Sequence, residues 1–142
     1  MSESTSTTTD RVFAYALDAV EGRVVVGRLV RLAAERHVRD LAAGRGRGLS
    51  YAPAKAAHAI GFIERFCRLN GGRHEGKPFA LQPWQAFVVG SLFGWLGPDG
   101  FRRFRTAYVE VAKGNGKALS ALTPIPTPSG WKTMAQLRVG DR

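Results

Sequence analysis

The sequence predicts an α/β fragment, with helices in its N-terminal part, the first strand of a sheet near residue 104 and an extended β-like segment at its C-terminal end. Apolar residues recur at helical spacing in several segments between residues 10 and 93. The run from Phe104 to Ala112 is rich in β-branched and aromatic residues, which is typical of a strand. Prolines at positions 124, 126 and 128 then exclude a helix, because proline lacks an N–H donor and favours extended backbone.

The composition limits the classes of protein that this chain can represent. A length of 142 residues suffices for one compact domain, and the formal charge of +10 favours either a polyanionic partner or simply a basic solvated surface. Cys67 is the single cysteine, so an intrachain disulfide and a thiolate metal cluster are excluded, and we expect no metal site. The sequence has neither a membrane-length apolar run nor the apolar core of a signal peptide, so we expect a cytoplasmic protein without membrane contact.

Two helices are predicted in the first part of the chain. Residues 1–9 are rich in Ser and Thr and are predicted to form a disordered tail, so that a helical N-terminal region spans residues 10–80. Asp10 can cap the first helix, which Gly22 ends. The apolar positions predicted to be buried are Val12, Tyr15, Ala16, Ala19 and Val20 in the first helix, and Val26, Leu29, Val30, Ala33 and Leu41 in the second.

Two more helices follow a loop of alternating Gly and Arg at residues 44–48, which is either a solvated linker or a phosphate contact. Pro53 opens the third helix, which extends to the Asn-Gly-Gly stretch at 70–72. Pro83 suits the first turn of a fourth helix that continues through Phe93 and is apolar enough to be buried. Residues 98–100, Pro-Asp-Gly, predict a turn before the strand.

The strand leads into the turn Gly114-Asn-Gly-Lys117, which resembles a phosphate-binding loop. In such a loop, backbone N–H groups surround the phosphates, the lysine reaches the outer ones, and a following Ser or Thr hydroxyl holds magnesium. The candidate nucleotide-binding residues are therefore Gly114, Asn115, Gly116 and Lys117. The general motif would have glycine at Val111 and a hydroxyl at Ala118, so a Gly-Lys turn that binds DNA phosphate instead of nucleotide stays open.

Three stretches carry a family resemblance: Leu81-Gln-Pro-Trp-Gln-Ala-Phe87, Gly90-Ser-Leu-Phe-Gly-Trp95 and the residues 103–117. They resemble the N-terminal ATPase part of the large terminase subunit of tailed phages and prophages. The resemblance covers residues 11–117 and is specific in its last 37 residues, so residues 81–117 would be the start of the ATPase domain. It implies an ATP-driven DNA-packaging motor with a P-loop (Walker A) site and a C-terminal nuclease. ATP and Mg²⁺ would be the cofactors, and double-stranded DNA, the small terminase subunit and the portal would be the partners.

The same resemblance assigns roles to individual residues. Lys117 would contact the outer phosphates, with residues 114–116 as the cradle, and Gln85 would read the adenine edge. Trp84 or Phe87 would lie near the base. Each has a simpler alternative, since the two aromatic side chains could be core residues and Gln85 could cap its helix.

The tail, residues 118–142, resembles the opening block of an intein, the self-splicing Hint (Hedgehog/intein) domain. The resemblance rests on a Pro-Ser-Gly turn at 128–130, Trp131-Lys-Thr133 and Leu137-Arg-Val-Gly-Asp141. It implies a junction between Lys117 and Ala118. Alanine cannot attack the preceding carbonyl as the usual Cys or Ser does, so the intein uses an internal cysteine, is inactive, or the sequence is a truncated gene piece.

Three hypotheses therefore stand after the sequence. The first is the N-terminal piece of a terminase ATPase, interrupted in its phosphate loop by an intein. This chain alone would not hydrolyse ATP, because the hydroxyl at position 118 and the family's downstream carboxylates are missing, so its status as an enzyme stays open. The second is a basic nucleic-acid-binding or packaging-accessory module without ATPase activity, and the third is that residues 118–142 are an unrelated or frameshifted segment.

Overall fold

The computed structural model describes residues 4–69, 74–111, 124–127 and 130–133. They belong to two units, Met1–Ala107 and Tyr108–Arg142. The predicted phosphate loop at 114–117 and the predicted junction between Lys117 and Ala118 lie outside the described residues.

The first unit begins with two helices, α1 (Ser4–Glu21) and α2 (Arg28–Ala43). Helix α1 starts six residues before Asp10, so residues 4–9 of the predicted disordered tail are helical. Once a helix is nucleated, each further residue adds a hydrogen bond without a new nucleation cost, and this allows propagation toward the N-terminus. The predicted face of α1 is confirmed, because Val12, Ala16 and Ala19 are fully buried.

The buried face of α2 differs from the predicted one. Leu29 is 75% exposed, whereas Ala34, His37 and Asp40 are buried. Hydrophobic periodicity alone placed the leucines inward, but the polar pair His37 and Asp40 finds partners in the interior and takes that face instead.

Helices α3 (Pro53–Phe66) and α4 (Pro83–Gly94) complete the helical core, and α4 packs against both α1 and α3. The predicted start of each helix at a proline is confirmed, and α4 ends one residue after the predicted Phe93. Gly90 allows the close approach of α1 to α4, since a Cβ at this position would lie 2.5 Å from Cγ2 of Val12. The residues of the central cluster are Val12, Ala16, Ala19, Ala34, Ile60, Leu81, Ala86 and Phe87. In the described part of the chain, no helix combines the length and apolarity needed to cross a bilayer.

A two-stranded antiparallel sheet joins the ends of these helices. Strand β1 (Ser50–Tyr51) pairs with β2 (Trp95–Leu96), and the backbone N–H of Gly97 donates to the carbonyl of Phe101 at 2.8 Å. The predicted turn at 98–100 is confirmed.

The prediction of a strand at Phe104–Ala112 is wrong for the described residues, because residues 104–111 form no strand in the structure. Strand formation needs hydrogen bonds from a neighbouring strand, and the described residues provide no partner for this run. Its apolar side chains are correspondingly open, with Tyr108 85% and Val109 48% exposed.

The second unit contains an antiparallel hairpin of β3 (Pro124–Thr127) and β4 (Gly130–Thr133). Its register pairs Pro124 with Thr133 and Thr127 with Gly130, which leaves two residues between the strands. The β-like character predicted for this part of the tail is therefore confirmed in the described residues.

Candidate functional site

The N-terminal turn of α4 holds Gln85, the residue predicted to read the adenine edge. Gln85 is 9% exposed, and its Oε1 accepts a hydrogen bond from the backbone N–H of Gln82 at 2.8 Å. The Gln82 side chain in turn accepts from the backbone N–H of Gln85, so the two residues form a reciprocal capping box. The capping alternative for Gln85 is thus present in the structure.

The chain entering α4 is fixed by an ion pair between α1 and α3. Arg11 and Glu64 pair at 3.1 Å. The Arg11 guanidinium also donates to the carbonyl of Leu81 at 2.8 Å, and the backbone N–H of Leu81 donates to the Glu64 carboxylate at 3.0 Å. The backbone N–H and carbonyl of Leu81 are therefore both hydrogen-bonded to side chains of the Arg11–Glu64 pair, which fixes the direction in which α4 begins.

The two aromatic residues near Gln85 differ in burial. Phe87 is 4% exposed and packs in the core against Tyr15 and His37, with ring centroids 5.4 and 5.5 Å away. Trp84 is only partly buried. Of these two residues, Trp84 is the one with surface that a ligand could reach.

His37 on α2 is the centre of a buried aromatic group. Its Nδ1 accepts a hydrogen bond from the indole N–H of Trp95 at 3.0 Å, so Nε2 carries the ring proton when the imidazole is neutral. Neither this Nε2 nor the Tyr51 hydroxyl has a hydrogen-bond partner in the part of the chain that the structure describes. Burial lowers the pKa of His37 to about 4, although the nearby Asp40 carboxylate acts in the opposite direction. Burial likewise raises the pKa of Tyr51 to about 12.

Asp40, one helical turn after His37, binds arginines from two distant segments. Its Oδ2 accepts from Arg103 at 2.6 Å, and its Oδ1 accepts from Arg47. The carboxylate is completely buried. Burial alone would raise the pKa of Asp40, but the hydrogen bonds from Arg103 and Arg47 outweigh it and hold the pKa below its ordinary value.

These contacts unite two basic stretches that lie some 50 residues apart in sequence. Gly48 lies against Pro98, so that a Cβ added at Gly48, which has φ of +71°, would meet the proline ring at 2.9 Å. Arg103 and Arg36 both lie over the ring of Phe104, at 4.9 and 4.7 Å from its centroid. We use the name arginine face for the surface formed by the following residues: Arg36, Arg47, Arg102, Arg103 and Arg105.

An open groove of about 390 Å³ runs along this face. Its basic lining consists of Arg102, Arg103 and Arg105. The exposed Asp99 also lines the groove, and its carboxylate lies 3.4 Å from Arg105. Five guanidinium groups and the two carboxylates of Asp40 and Asp99 leave a formal excess of three positive charges.

The sequence alone does not predict the buried pair His37 and Asp40 or the arginine face above it, because both members of the pair are polar residues on a helix face. His37 and Asp40 follow Ala33 and Ala34 at helical spacing, and this continuation of the apolar stripe was the available signal. Arg103, by contrast, is 63 residues from Asp40 in sequence, and no local pattern predicts that pair.

The predicted phosphate-loop residues Gly114, Asn115, Gly116 and Lys117 lie outside the described residues, as does Ala118. Their chemistry fits a triphosphate, because three small residues and a lysine provide backbone N–H donors and a cation. It does not fit the Mg²⁺ site of such a loop, because Ala118 offers no side-chain hydroxyl. Among the residues that the structure describes, no cluster of His, Cys, Asp or Glu could hold a metal ion.

Comparison with known proteins identifies one family. Residues 83–125, under a third of the chain, match the family described as terminase large subunit, ATPase domain. The match begins at the first residue of α4, includes residues 114–117 and ends eight residues beyond Lys117. No curated protein and no solved structure is significantly similar to the chain. The family match supports a relation to the terminase large subunit.

Proposed function

We propose that this chain is the N-terminal part of a terminase large subunit, an ATP-driven motor for packaging double-stranded DNA. The observation that carries the proposal is the match of residues 83–125 to the ATPase domain of that family. The matched segment contains both the α4 start and the candidate loop Gly114–Lys117. The small terminase subunit and the portal are the proposed protein partners, and the bacterial cytoplasm is the proposed location.

In this proposal ATP binds at the loop, with Lys117 on the outer phosphates and backbone N–H groups of Gly114, Asn115 and Gly116 around them. Gln85 would contact the adenine edge in addition to capping α4. The position of Gln85 in the first turn of α4, held by the contacts of Leu81, supports a fixed side chain there. Transfer of the terminal phosphoryl group of ATP to water would supply the free energy for translocation.

We further propose that an intein interrupts the loop after Lys117. The support is the resemblance of residues 118–142 to an intein start, together with the hairpin Pro124–Thr133 that its β-rich fold would need. The family match continues to Ile125, so the two resemblances overlap by eight residues and the junction needs a direct test. Magnesium would be bound only after splicing brings a Ser or Thr next to Lys117, so the unspliced chain would not hydrolyse ATP.

The genomic sequence after Arg142 tests the interruption. We expect a Thr-x-x-His block, a terminal His-Asn, and then Ser or Thr followed by the rest of the ATPase domain. Noncoding sequence, or an ATPase helix that continues without an intein, would contradict the proposal. Robust ATP turnover by the purified unspliced precursor would contradict the proposed inactivity.

Nucleotide binding tests the loop. In the rejoined protein, with the intein removed, Lys117→Ala should abolish ATP binding, because the cation on the outer phosphates is lost. Lys55→Ala is the matched control, since Lys55 is an exposed lysine on α3. Equal ATP affinity of the two variants would remove the central support for the motor.

The role of Gln85 has a separate test. Gln85→Glu keeps an oxygen that can accept the hydrogen bond from Gln82 N–H, but replaces the amide that would recognise adenine. If Gln85 reads the base, the rejoined variant should lose its preference for ATP over GTP while keeping its stability. An unchanged preference would leave capping as the function of Gln85.

The second candidate function is a basic nucleic-acid-binding or packaging-accessory module without ATPase activity. The arginine face favours it, because this surface is built entirely within residues 36–105 and needs no phosphate loop. In that case Lys117→Ala would weaken binding of DNA, not of ATP. Comparing the two ligands on the same variant separates the candidates.

A further inference from the structure

We propose that the arginine face binds the phosphate backbone of a nucleic acid duplex without reading its sequence. The proposal rests on the nucleic-acid partner of the proposed function, but not on nucleotide binding at Lys117. It assigns the contact to the groove lined by Arg102 and Arg105 and to the arginines beside it.

The assembly of the face gives its cations fixed positions. Asp40 holds Arg47 and Arg103 from the inside, and its carboxylate is completely buried. The backbone N–H of Arg103 also donates to the carbonyl of Trp95 at 2.9 Å. The segment that carries Arg102 and Arg105 is thus anchored at Arg103 between them, so less side-chain and loop entropy is lost when an anion binds.

The charge of the face suits a polyanion. From beneath the surface, the Asp40 carboxylate accepts hydrogen bonds from two of the five guanidinium groups, those of Arg47 and Arg103, and offsets one of their two positive charges. Arg102 and Arg105 are exposed beside the groove, and the exposed carboxylate there, Asp99, is 3.4 Å from Arg105. Guanidinium groups donate two hydrogen bonds to a phosphate in a fixed geometry, which makes arginine well suited to this ligand.

The aromatic rings of the face favour backbone contact over base stacking. Arg102 lies over Phe93 at 5.0 Å from the ring centroid, and Arg36 and Arg103 lie over Phe104. Single-strand binding proteins need ring faces that are open to bases. Here the guanidinium groups already cover these rings, so a duplex, which presents phosphates, is the better fit.

Titration of a fluorescent 20-base-pair duplex with the full chain, without nucleotide, tests the proposal. We compare Arg102→Ala/Arg105→Ala with the control Arg28→Ala/Arg65→Ala, which removes the same charge from exposed positions on α2 and α3. Arg28 is separated from Asp40 by about 18 Å along the helix axis. In Arg102→Ala/Arg105→Ala, the loss of two phosphate contacts should make the negative slope of log K against log salt shallower by about 1.8. It should also weaken binding about sixtyfold at 0.1 M salt.

Asp99→Asn provides a variant whose effect has the opposite sign. Asn keeps an oxygen to accept from the Phe101 backbone N–H, which the Asp99 carboxylate does at 3.1 Å, but it removes the negative charge beside Arg105. Binding of the duplex should become tighter, a result that damage to the fold could not produce. Phe101→Ala should leave binding within about twofold if bases are not stacked.

Four results would overturn the proposal. They are no duplex binding by the unmodified chain, equal weakening by the two double variants, weaker binding by Asp99→Asn, and tighter binding of a single strand than of the duplex. Binding of polyglutamate but not of the duplex would assign the face to an acidic protein instead. None of these results depends on ATP, so the ATP-binding proposal stands or falls separately.

Discussion

Substitution of His37 by Asn tests the role of the buried imidazole most directly. It can keep the hydrogen bond from the Trp95 indole, but it removes the titratable group. The Asn Oδ1 can take the position of the imidazole Nδ1 and accept from the indole N–H of Trp95, which is now 3.0 Å from Nδ1. The aromatic contacts of the ring with Tyr51 and Phe87 are lost. We therefore expect lower stability at pH 7 and a smaller dependence of stability on pH.

The magnitude follows from the pKa of His37. Its ordinary value of 6.5 applies to the unfolded chain, and burial lowers it to about 4 in the folded chain. Between these values the unfolded chain binds more protons, so the contribution of His37 is complete above pH 6.5 and declines as the pH falls toward 4. Linkage gives a loss in the free energy of unfolding of about 1 kcal/mol from pH 7 to 5.5, and about 2 kcal/mol from pH 7 to 4.5.

Urea unfolding followed by tryptophan fluorescence at pH 7, 5.5 and 4.5 measures this dependence. Other groups also titrate, so the informative quantity is the difference between the unmodified protein and His37→Asn at each pH. The lowered pKa of Asp40 makes its own contribution fall only below its unfolded value near 4, outside most of this range. Parallel curves for the two proteins would refute the view that His37 is buried in its neutral form.

Two further predictions concern stability at neutral pH. Gly90→Ala should destabilise the protein by about 1–3 kcal/mol, because its Cβ would lie 2.5 Å from a Val12 methyl. The control Gly61→Ala on α3 places a Cβ that meets nothing within 4 Å, so it should stabilise the protein by up to about 1 kcal/mol through helix propensity. Equal effects of the two variants in urea unfolding would contradict the close packing of α1 and α4. Asp40→Asn should cost about 1–3 kcal/mol, because Arg103 and the half-exposed Arg47 lose their buried anionic partner, against a few tenths for the exposed Asp99→Asn, and comparable losses would show that the Asp40 pairs contribute little.

The elements that the sequence predicts well are those with local signals. The bounds of α4 depend on a proline in its first turn and on a continuous apolar stretch, and both act within the helix itself. The predicted face of α1 is equally local, because every apolar residue of its stripe finds the same core. For such helices periodicity and capping residues suffice.

The errors occur where a residue's environment depends on a distant segment. Leu29 was predicted to be buried and is exposed, whereas Asp40, for which burial was not predicted, is buried because Arg103, far along the chain, neutralises the aspartate and makes its burial favourable. The run Phe104–Ala112 has the composition of a strand, but no strand partner lies in the described residues. For the candidate site, the sequence predicts the capping of Gln85 as one alternative, and the adenine contact of Gln85 stays a prediction, whereas the arginine face depends on a pairing that no local pattern contains.

The location of the core bears on the stability of an interrupted chain. A sheet strand without partners predicts a poorly stable fragment, but that expectation applies to segments whose apolar residues need the sheet. In the first unit, the central cluster extends from Val12 to Phe87 and is closed by helices that pack on one another. The candidate loop at 114–117 comes after the last residue of that unit, Ala107. An insertion at Lys117 would therefore leave the residues of this helical core continuous in sequence. It would impair nucleotide binding at the loop, but it would not interrupt the folding of the helices.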